Sequence, residues 1–114
     1  MEKEILKELP ACPVETTLTL ISDKWKVLIL RELMSGTKRF GELKKSIGHV
    51  TQKVLTAQLR QMEESGLLTR KVYAEVPPRV EYTLTELGYS LKPVRDAMWA
   101  WGEGYKSRLE GKAE

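Results

Sequence analysis

The chain has 114 residues, 41% of them hydrophobic, which suggests a single domain over residues 1–114 with one modest core. No apolar run approaches the roughly 20 residues of a membrane-spanning helix, and residues 1–10 lack the apolar centre of a signal peptide, so we expect a soluble, cytoplasmic protein without membrane contact. The single cysteine, Cys12, excludes an intramolecular disulfide and a cysteine-cluster metal site.

Positive charge is concentrated in the middle of the chain. The net charge is +3, but residues 24–79 contain 12 Lys and Arg against 5 Asp and Glu, a balance of +7 that leaves −4 for the remainder. For the wider segment of residues 23–81 the net charge is +5 and that of the remaining residues is −2, so the middle of the chain is still the positive part. Such a basic segment is typical of a surface that binds a polyanion, although uneven surface charge also arises by chance.

The first predicted helix follows a short N-terminal segment, residues 1–11. Pro13 is expected at the first helical position, because its fixed backbone angle suits that place and its missing N–H is not needed there. Val14, Leu18 and Ile21 line one face of this helix.

The second predicted helix spans residues 24–35, with Ser22 or Asp23 as its N-cap. It is apolar on nearly every side, so we expect it to be central and buried. Lys24 and Lys26 are predicted to lie at its exposed start.

A helix-turn-helix is predicted within the basic segment. After a polar connection over residues 37–39, the spacing of Phe40, Leu43 and Ile47 indicates a short helix. A tight turn that begins at Gly48 then leads into a longer helix. This order of elements is typical of the motif.

The longer helix is predicted from the N-cap Thr51 to Gly66, which fits the left-handed residue that ends many helices. Leu55, Leu59 and Met62 repeat at helical spacing, so this stripe is expected to face the core.

The opposite face of the longer helix has the character of a surface for the DNA major groove. Thr and Ala can contact a thymine methyl, Gln can bracket adenine, and Lys or Arg can reach guanine or phosphate. An ordinary solvated face is the alternative interpretation. The residues predicted to read bases or the adjoining backbone are Thr51, Gln52, Lys53, Thr56, Ala57 and Arg60.

A β-hairpin, or wing, is predicted directly after the longer helix. Alternation over residues 68–76 indicates one strand and residues 79–84 the return strand, while Pro77 and Pro78 mark the turn because neither can donate to a ladder. Arg79, expected at the tip, is suited to phosphate or a minor groove, with a solvent-exposed arginine as the alternative. The residues predicted to contact the DNA backbone are Lys24, Lys38, Arg39, Lys44, Lys45, Lys71 and Arg79.

The C-terminal region, residues 91–109, is predicted to be a dimerisation helix. Thr85 caps a helical region that Gly88 and Pro93 bend or break near Ser90, and the tail after residue 109 is expected to be loose. A lone winged helix has little core left to bury the long apolar stripe, which favours a dimer seam over packing on its own domain. The stripe consists of Leu91, Val94, Met98, Trp101, Tyr105 and Leu109.

These elements predict a mainly α fold with a small β-hairpin wing, in the α+β class: a winged helix-turn-helix with N- and C-terminal dimerisation helices. No Gly-rich phosphate loop, zinc spacing or nucleophile–base arrangement occurs in the sequence, so we expect no enzyme activity, cofactor or metal. The only histidine, His49, is interpreted as a turn residue.

Several segments between residues 12 and 102 form a characteristic series. They include the Cys12-Pro13 start, the Lys24-Trp25 pair and the Pro-Pro-Arg-Val-Glu-Tyr wing of residues 77–82. Together they resemble the HxlR-type family of bacterial winged helix-turn-helix transcription regulators, which is related to the MarR superfamily. Either of the last two segments alone would be weak, but their combination is specific.

Two positions depart from the pattern of that family. Asp23 stands where the family often has glycine, and Gly48-His49-Val50 replaces a more usual Pro-Gly-Ile turn. Neither departure threatens the expected fold, but both bear on which bases are contacted.

The resemblance implies a homodimer that binds a palindromic operator in double-stranded DNA and represses or activates nearby genes. It also implies that Cys12 occupies the position of a cysteine that some members use to sense electrophiles, quinones or oxidants. A thiol at a helix start is favoured as thiolate, whereas a small buried residue near the dimer seam is the alternative. A winged-helix protein–protein adaptor or RNA-binding module remains the alternative function, and no motif identifies a small-molecule effector.

Overall fold

The protein is mainly helical, with a small three-stranded antiparallel sheet of order β1-β3-β2. The computed structural model describes residues 8–113, so part of the predicted N-terminal segment and Glu114 lie outside the described residues. The predicted fold class is confirmed. The elements are α1 (Pro13–Ile21), α2 (Lys24–Leu33), β1 (Lys38–Arg39), α3 (Phe40–Ile47), α4 (Gln52–Glu64), β2 (Leu68–Tyr73), β3 (Arg79–Leu84), α5 (Glu86–Tyr89) and α6 (Lys92–Ala113).

Side-chain oxygens cap three of the helices at the positions that the sequence indicates. Asp23 caps α2, Thr51 accepts from the backbone of Val54 at the start of α4, and Thr85 accepts from that of Gly88 in α5. Each cap satisfies backbone N–H groups that have no partner within the helix. The predicted starts of these helices are therefore confirmed.

The core is built around α2, which contacts α1, α3, α4, α6 and β3. Its inward residues Ile29, Leu30 and Leu33 are fully buried. The predicted apolar stripe of α4 is also fully buried, so the opposite face of α4 must point away from the core. The members of that stripe are Leu55, Leu59 and Met62.

The prediction that Lys26 lies at an exposed start of α2 is wrong. Only 8% of its surface is accessible, whereas Lys24 is exposed as predicted. Neighbouring elements cover α2 even near its N-terminus, and a lysine stem can cover apolar surface along its length.

The predicted polar connection before α3 is also wrong in part, because Lys38 and Arg39 form the short strand β1. They pair antiparallel with Tyr82 and Glu81 of β3, respectively. A two-residue strand has no alternation to detect, and its pairing partner lies more than 40 positions away.

The first strand of the wing is shorter than the predicted residues 68–76. The ladder runs from the Leu68–Leu84 pair to the Tyr73–Arg79 pair and leaves residues 74–78 as the connecting loop. The ladder does not extend to Pro77 and Pro78, because proline has no backbone N–H to donate to it. On the return strand β3, Tyr82 and Leu84 are buried and Val80 is half-buried.

The predicted break near Ser90 is confirmed, since α5 ends at Tyr89 and α6 begins at Lys92. The prediction of a loose tail after residue 109 is wrong, because α6 continues as a helix to Ala113, uninterrupted by proline. Within residues 8–113, no helix combines the length and hydrophobicity needed to cross a membrane.

Gly88→Ala is expected to lower the free energy of unfolding by about 1–3 kcal/mol. A Cβ at this position would overlap the backbone carbonyl of Leu67 and crowd the side chain of Leu84, so α5 could not sit this close to the sheet. Urea denaturation followed by circular dichroism measures the loss. Gly111→Ala, where open space surrounds the added methyl, is the matched control and should lose nothing. Equal stability of the two variants would contradict the close packing.

Candidate DNA interface

The turn between α3 and α4 is a tight reversal that places the start of α4 at the surface. Gly48 follows α3 with a φ of +89°, a left-handed value that glycine adopts without a Cβ penalty. Val50 is buried in the core, and His49 lies against Trp25 with ring centroids 5.1 Å apart. The predicted helix-turn-helix and the turn role of His49 are therefore consistent with the geometry.

The outward face of α4 brings together most of the side chains that the sequence assigns to base recognition. No acidic residue occurs between Gln52 and Arg60. An α-helix about 10–12 Å across fits the B-DNA major groove, about 12 Å wide. Five exposed residues line one shallow, open depression on this face: Gln52, Lys53, Thr56, Ala57 and Arg60.

Thr51, the sixth residue predicted to read bases, has another role in the fold. Its hydroxyl accepts a hydrogen bond from the N–H of Val54 at 3.1 Å, which caps α4. The hydroxyl is therefore engaged at the helix start, although Thr51 as a whole is exposed.

A smaller cleft joins the far end of this face to the wing and is lined by Thr56, Arg60, Glu63, Arg70 and Tyr82. Glu63 and Arg70 form an ion pair of 3.5 Å across it. Burial raises the pKa of the Tyr82 phenol, and the positive charge of Arg70 opposes that rise. The phenol therefore stays a neutral hydrogen-bonding group at physiological pH.

Arg79 is the first residue of β3, as the predicted return strand over residues 79–84 requires, and it adjoins the loop at the tip of the wing. Its guanidinium lies 3.9 Å from the ring centroid of Tyr73 and within 3.5 Å of both Glu75 and Glu81. The side chain is 26% exposed, and its Nε is buried without a hydrogen bond. Arg79 therefore links the two strands and the loop, and the ammonium of the exposed Lys71 lies 4.9 Å from the centroid of the same ring.

The other basic residues predicted to contact the DNA backbone differ in accessibility. Arg39 and Arg79 border one cleft between the start of α3 and the wing, so these two positions are brought together. The ammonium of Lys24 lies 4.5 Å from the ring centroid of Trp25. Lys38 and Lys44 are half-buried, and the exposed ones are Lys24, Arg39, Lys45 and Lys71.

Gln58 is a polar residue of α4 that the sequence pattern did not single out. Its Nε2 donates a hydrogen bond of 2.9 Å to Oδ2 of Asp23, the N-cap of α2. The two residues are 35 positions apart, and Gln58 lies at the border between the buried and exposed faces, where periodicity assigns no role.

Cys12 is the N-cap residue of α1, immediately before Pro13, and its thiol is exposed. Thr16 donates its backbone N–H to the carbonyl of Cys12 at 3.0 Å, which begins the helix. Burial of this residue within the single chain is therefore not observed. Within residues 8–113, no group of three or more His, Cys, Asp or Glu side chains is placed to hold a metal ion.

Exposed apolar side chains occur along α6 and on α1. Leu91, the first residue of the predicted seam, lies just before α6 and is partly buried against the core. At this position the chain therefore packs on its own domain, which was the alternative to a dimer seam. Trp101 is 73% exposed and stacks on Tyr105 with centroids 5.5 Å apart. The other exposed members are Val94, Met98 and Leu109 on α6 and Val14 and Leu18 on α1.

The model of the HxlR-like helix-turn-helix family matches residues 20–110. The chain belongs to this family. The HxlR-like chain is 50% identical over 103 residues to the uncharacterized HTH-type transcriptional regulator YdeP of Bacillus subtilis, covering 90% of this chain and 80% of YdeP. An HTH-type transcriptional regulator of Methanothermobacter thermautotrophicus is 48% identical over 103 residues, covering 90% of this chain and 79% of that protein.

Solved structures agree with this assignment. The redox regulator HypR in its reduced form is 44% identical, with a TM-score of 0.81, over 88% of this chain and 99% of HypR. Quinone-bound YodB from Bacillus subtilis is 36% identical, with a TM-score of 0.70, over 82% of this chain and 98% of YodB. The HxlR-like chain is a helix-turn-helix transcriptional regulator, its partner is DNA, and the resemblance in the sequence is confirmed.

Arg79→Ala in this HxlR-like regulator is expected to weaken binding to every duplex sequence. Loss of one phosphate contact should lower the slope of log affinity against log salt by about one unit. Fluorescence anisotropy at several salt concentrations measures both quantities. Lys106→Ala, which removes a positive charge from α6, is the control. If affinity and slope are unchanged in Arg79→Ala, the side chain acts only within the wing.

Proposed function

We propose that this regulator is a homodimeric repressor that binds a palindromic operator in double-stranded DNA. The observation that supports it most is the outward face of α4, where five exposed side chains without an acidic member line one open depression. This face belongs to the second helix of a tight helix-turn-helix, and the opposite side of that helix is buried in the core. An outward helix of that composition suits the edges of base pairs in a major groove.

In this proposal each α4 enters one major groove of the operator. Gln52 would bracket an adenine, Thr56 and Ala57 would contact thymine methyls, and Arg60 would reach guanine. Phosphate contacts position the protein but carry no sequence information directly. The proposed phosphate contacts come from Lys24, Lys38, Arg39, Lys44, Lys45, Lys71 and Arg79.

The proposed homodimer is joined along residues 91–109, most of which belong to α6, with a contribution from α1. Large contiguous apolar patches on a protein surface mark interaction sites, and the exposed aromatic side chains of α6 leave such a patch uncovered in the single chain. Two copies related by a two-fold axis would present their α4 helices to half-sites about 34–36 Å apart or a multiple of that distance.

Trp101→Glu is expected to dissociate the homodimer, because a buried seam would leave the new carboxylate without a partner. Sedimentation velocity should then report the mass of one 13.1 kDa chain instead of two, and operator affinity should fall because one copy contacts one half-site. Glu103→Ala, a change on another face of α6, is the control. A wild-type monomer, or a Trp101→Glu dimer, would contradict the proposed seam.

Cys12 is the proposed site of an oxidant response. It is exposed at the N-terminus of α1, and the solved relatives include the redox regulator HypR in its oxidized form and quinone-bound YodB. With one thiol per chain, oxidation leads to a sulfenic acid, a mixed disulfide or an intersubunit disulfide. In the last case two thiols lose two protons and pass two electrons to the oxidant.

A gel shift with the DNA upstream of the protein's own gene, in excess nonspecific DNA, tests the proposal. A specific shift that peroxide or quinone releases, and that becomes insensitive in Cys12→Ser, is the expected result. A specific shift indifferent to oxidant, with Cys12→Ser like wild type, would retain the regulator and reject the Cys12 response. If neither this DNA nor a genome-wide selection yields a specific site, operator binding is rejected in favour of a protein–protein adaptor.

A further inference from the structure

One carboxylate joins the central helix α2 to the proposed reading helix α4. Oδ1 of Asp23 accepts from the N–H of Trp25 at 2.7 Å and from that of Lys26 at 3.4 Å, which caps α2. Oδ2 of the same group accepts from Nε2 of Gln58 at 2.9 Å. The side chain of Asp23 thus caps the N-terminus of α2 and binds a side chain of α4 at the same time.

Within residues 8–113, Asp23 is the hydrogen-bond partner of the Gln58 side-chain amide. The Oε1 of Gln58 is buried without a hydrogen-bond partner, so the bond to Asp23 is the only one that the amide makes among the described residues. A rotation or slide of α4 that broke this bond would leave the whole amide unpaired in a partly buried place. The pair therefore resists such movement in a defined direction.

Apolar packing alone restricts α4 less sharply. The buried stripe of Leu55, Leu59 and Met62 attaches α4 to α2, but hydrophobic attraction is non-directional. A rotation of about 10° moves a side-chain atom roughly 6 Å from the helix axis by about 1 Å. That displacement exceeds the distance range of a good hydrogen bond to a base edge, whereas flexible lysine side chains can follow a phosphate.

We propose that Asp23 is a positioning residue for base recognition, acting through Gln58 to fix the rotation of α4. This inference rests on the proposed reading of DNA by α4. The pair does not contact bases itself. Its loss lowers the preference for the operator over nonspecific DNA, while nonspecific affinity, which depends on phosphate contacts, remains.

Four variants distinguish the effect of the Asp23–Gln58 hydrogen bond from the effect of the N-cap and from that of an unrelated substitution on α4. Asp23→Ser keeps an N-cap oxygen but is too short to reach Gln58. Asp23→Asn keeps both, because its amide can donate to Oε1 of a turned Gln58 while its oxygen caps α2. Gln58→Met removes the amide at similar length, and Gln61→Met makes the same change at an exposed position of α4.

Competition binding of operator against nonspecific duplex, with the full chain, measures the preference. Asp23→Ser and Gln58→Met should each reduce the ratio of the two affinities by about fivefold to tenfold. Their double variant should lose no more than either single one, because both remove the same bond. Asp23→Asn and Gln61→Met should remain close to wild type, and Gln52→Ala serves as a variant that loses a direct base contact.

The outcomes distinguish the two proposals. Wild-type protein without preference for any duplex sequence would overturn the proposed function and this inference with it. If Gln52→Ala loses preference but Gln58→Met does not, or if the Asp23→Ser and Gln58→Met losses add, only the positioning role is overturned. The same holds if specific and nonspecific affinities fall in parallel. Melting temperatures are measured for every variant. If Gln58→Met fails to fold, the comparison of Asp23→Ser with Asp23→Asn still tests the positioning role of Asp23.

Discussion

The apolar surface of α2 must be covered on nearly every side, and the rest of the structure follows from this requirement. Helices α1, α3, α4 and α6 and strand β3 all contact it. Because α4 has one buried stripe, attachment to α2 turns its opposite face outward, with Gln52 and Arg60 among the exposed residues. The same central helix also contacts the start of α6, so one element supports both the proposed DNA-reading surface and the proposed dimer surface.

Charged side chains of the wing interact mainly with one another. Arg79 stacks on Tyr73 and stands between Glu75 and Glu81, so much of its positive charge is balanced within the hairpin. Exposed ion pairs contribute little to stability, but this guanidinium is partly buried and closes the hairpin ladder. A phosphate near the wing would compete with two carboxylates for Arg79, whereas Lys71, whose ammonium lies near the same ring, is exposed.

The sequence predicted the features that depend on local periodicity and backbone chemistry. The buried stripe of α4, the caps Asp23 and Thr51 and the break before α6 all follow from residues close to each other in the chain. What was missed depends on distant partners. Strand β1 forms because it pairs with the edge of β3. Lys26 is buried by neighbouring elements. Gln58 forms a hydrogen bond to a carboxylate 35 positions away in the sequence. Periodicity assigns a residue to a face but does not identify what lies opposite.

Most of α6 extends beyond the part that contacts α2, so a movement of α6 would be transmitted to α2. Helix α6 has 22 residues and therefore a length of about 33 Å, and it contacts α2 near its beginning, where Met98 and Trp99 border a groove with Val27 and Leu28. In a dimer joined along α6, a change in the angle between the two long helices would turn each α2, and each α4 would move with it. In such a dimer, the distance between the two α4 helices would therefore depend on the angle at which the two α6 helices cross.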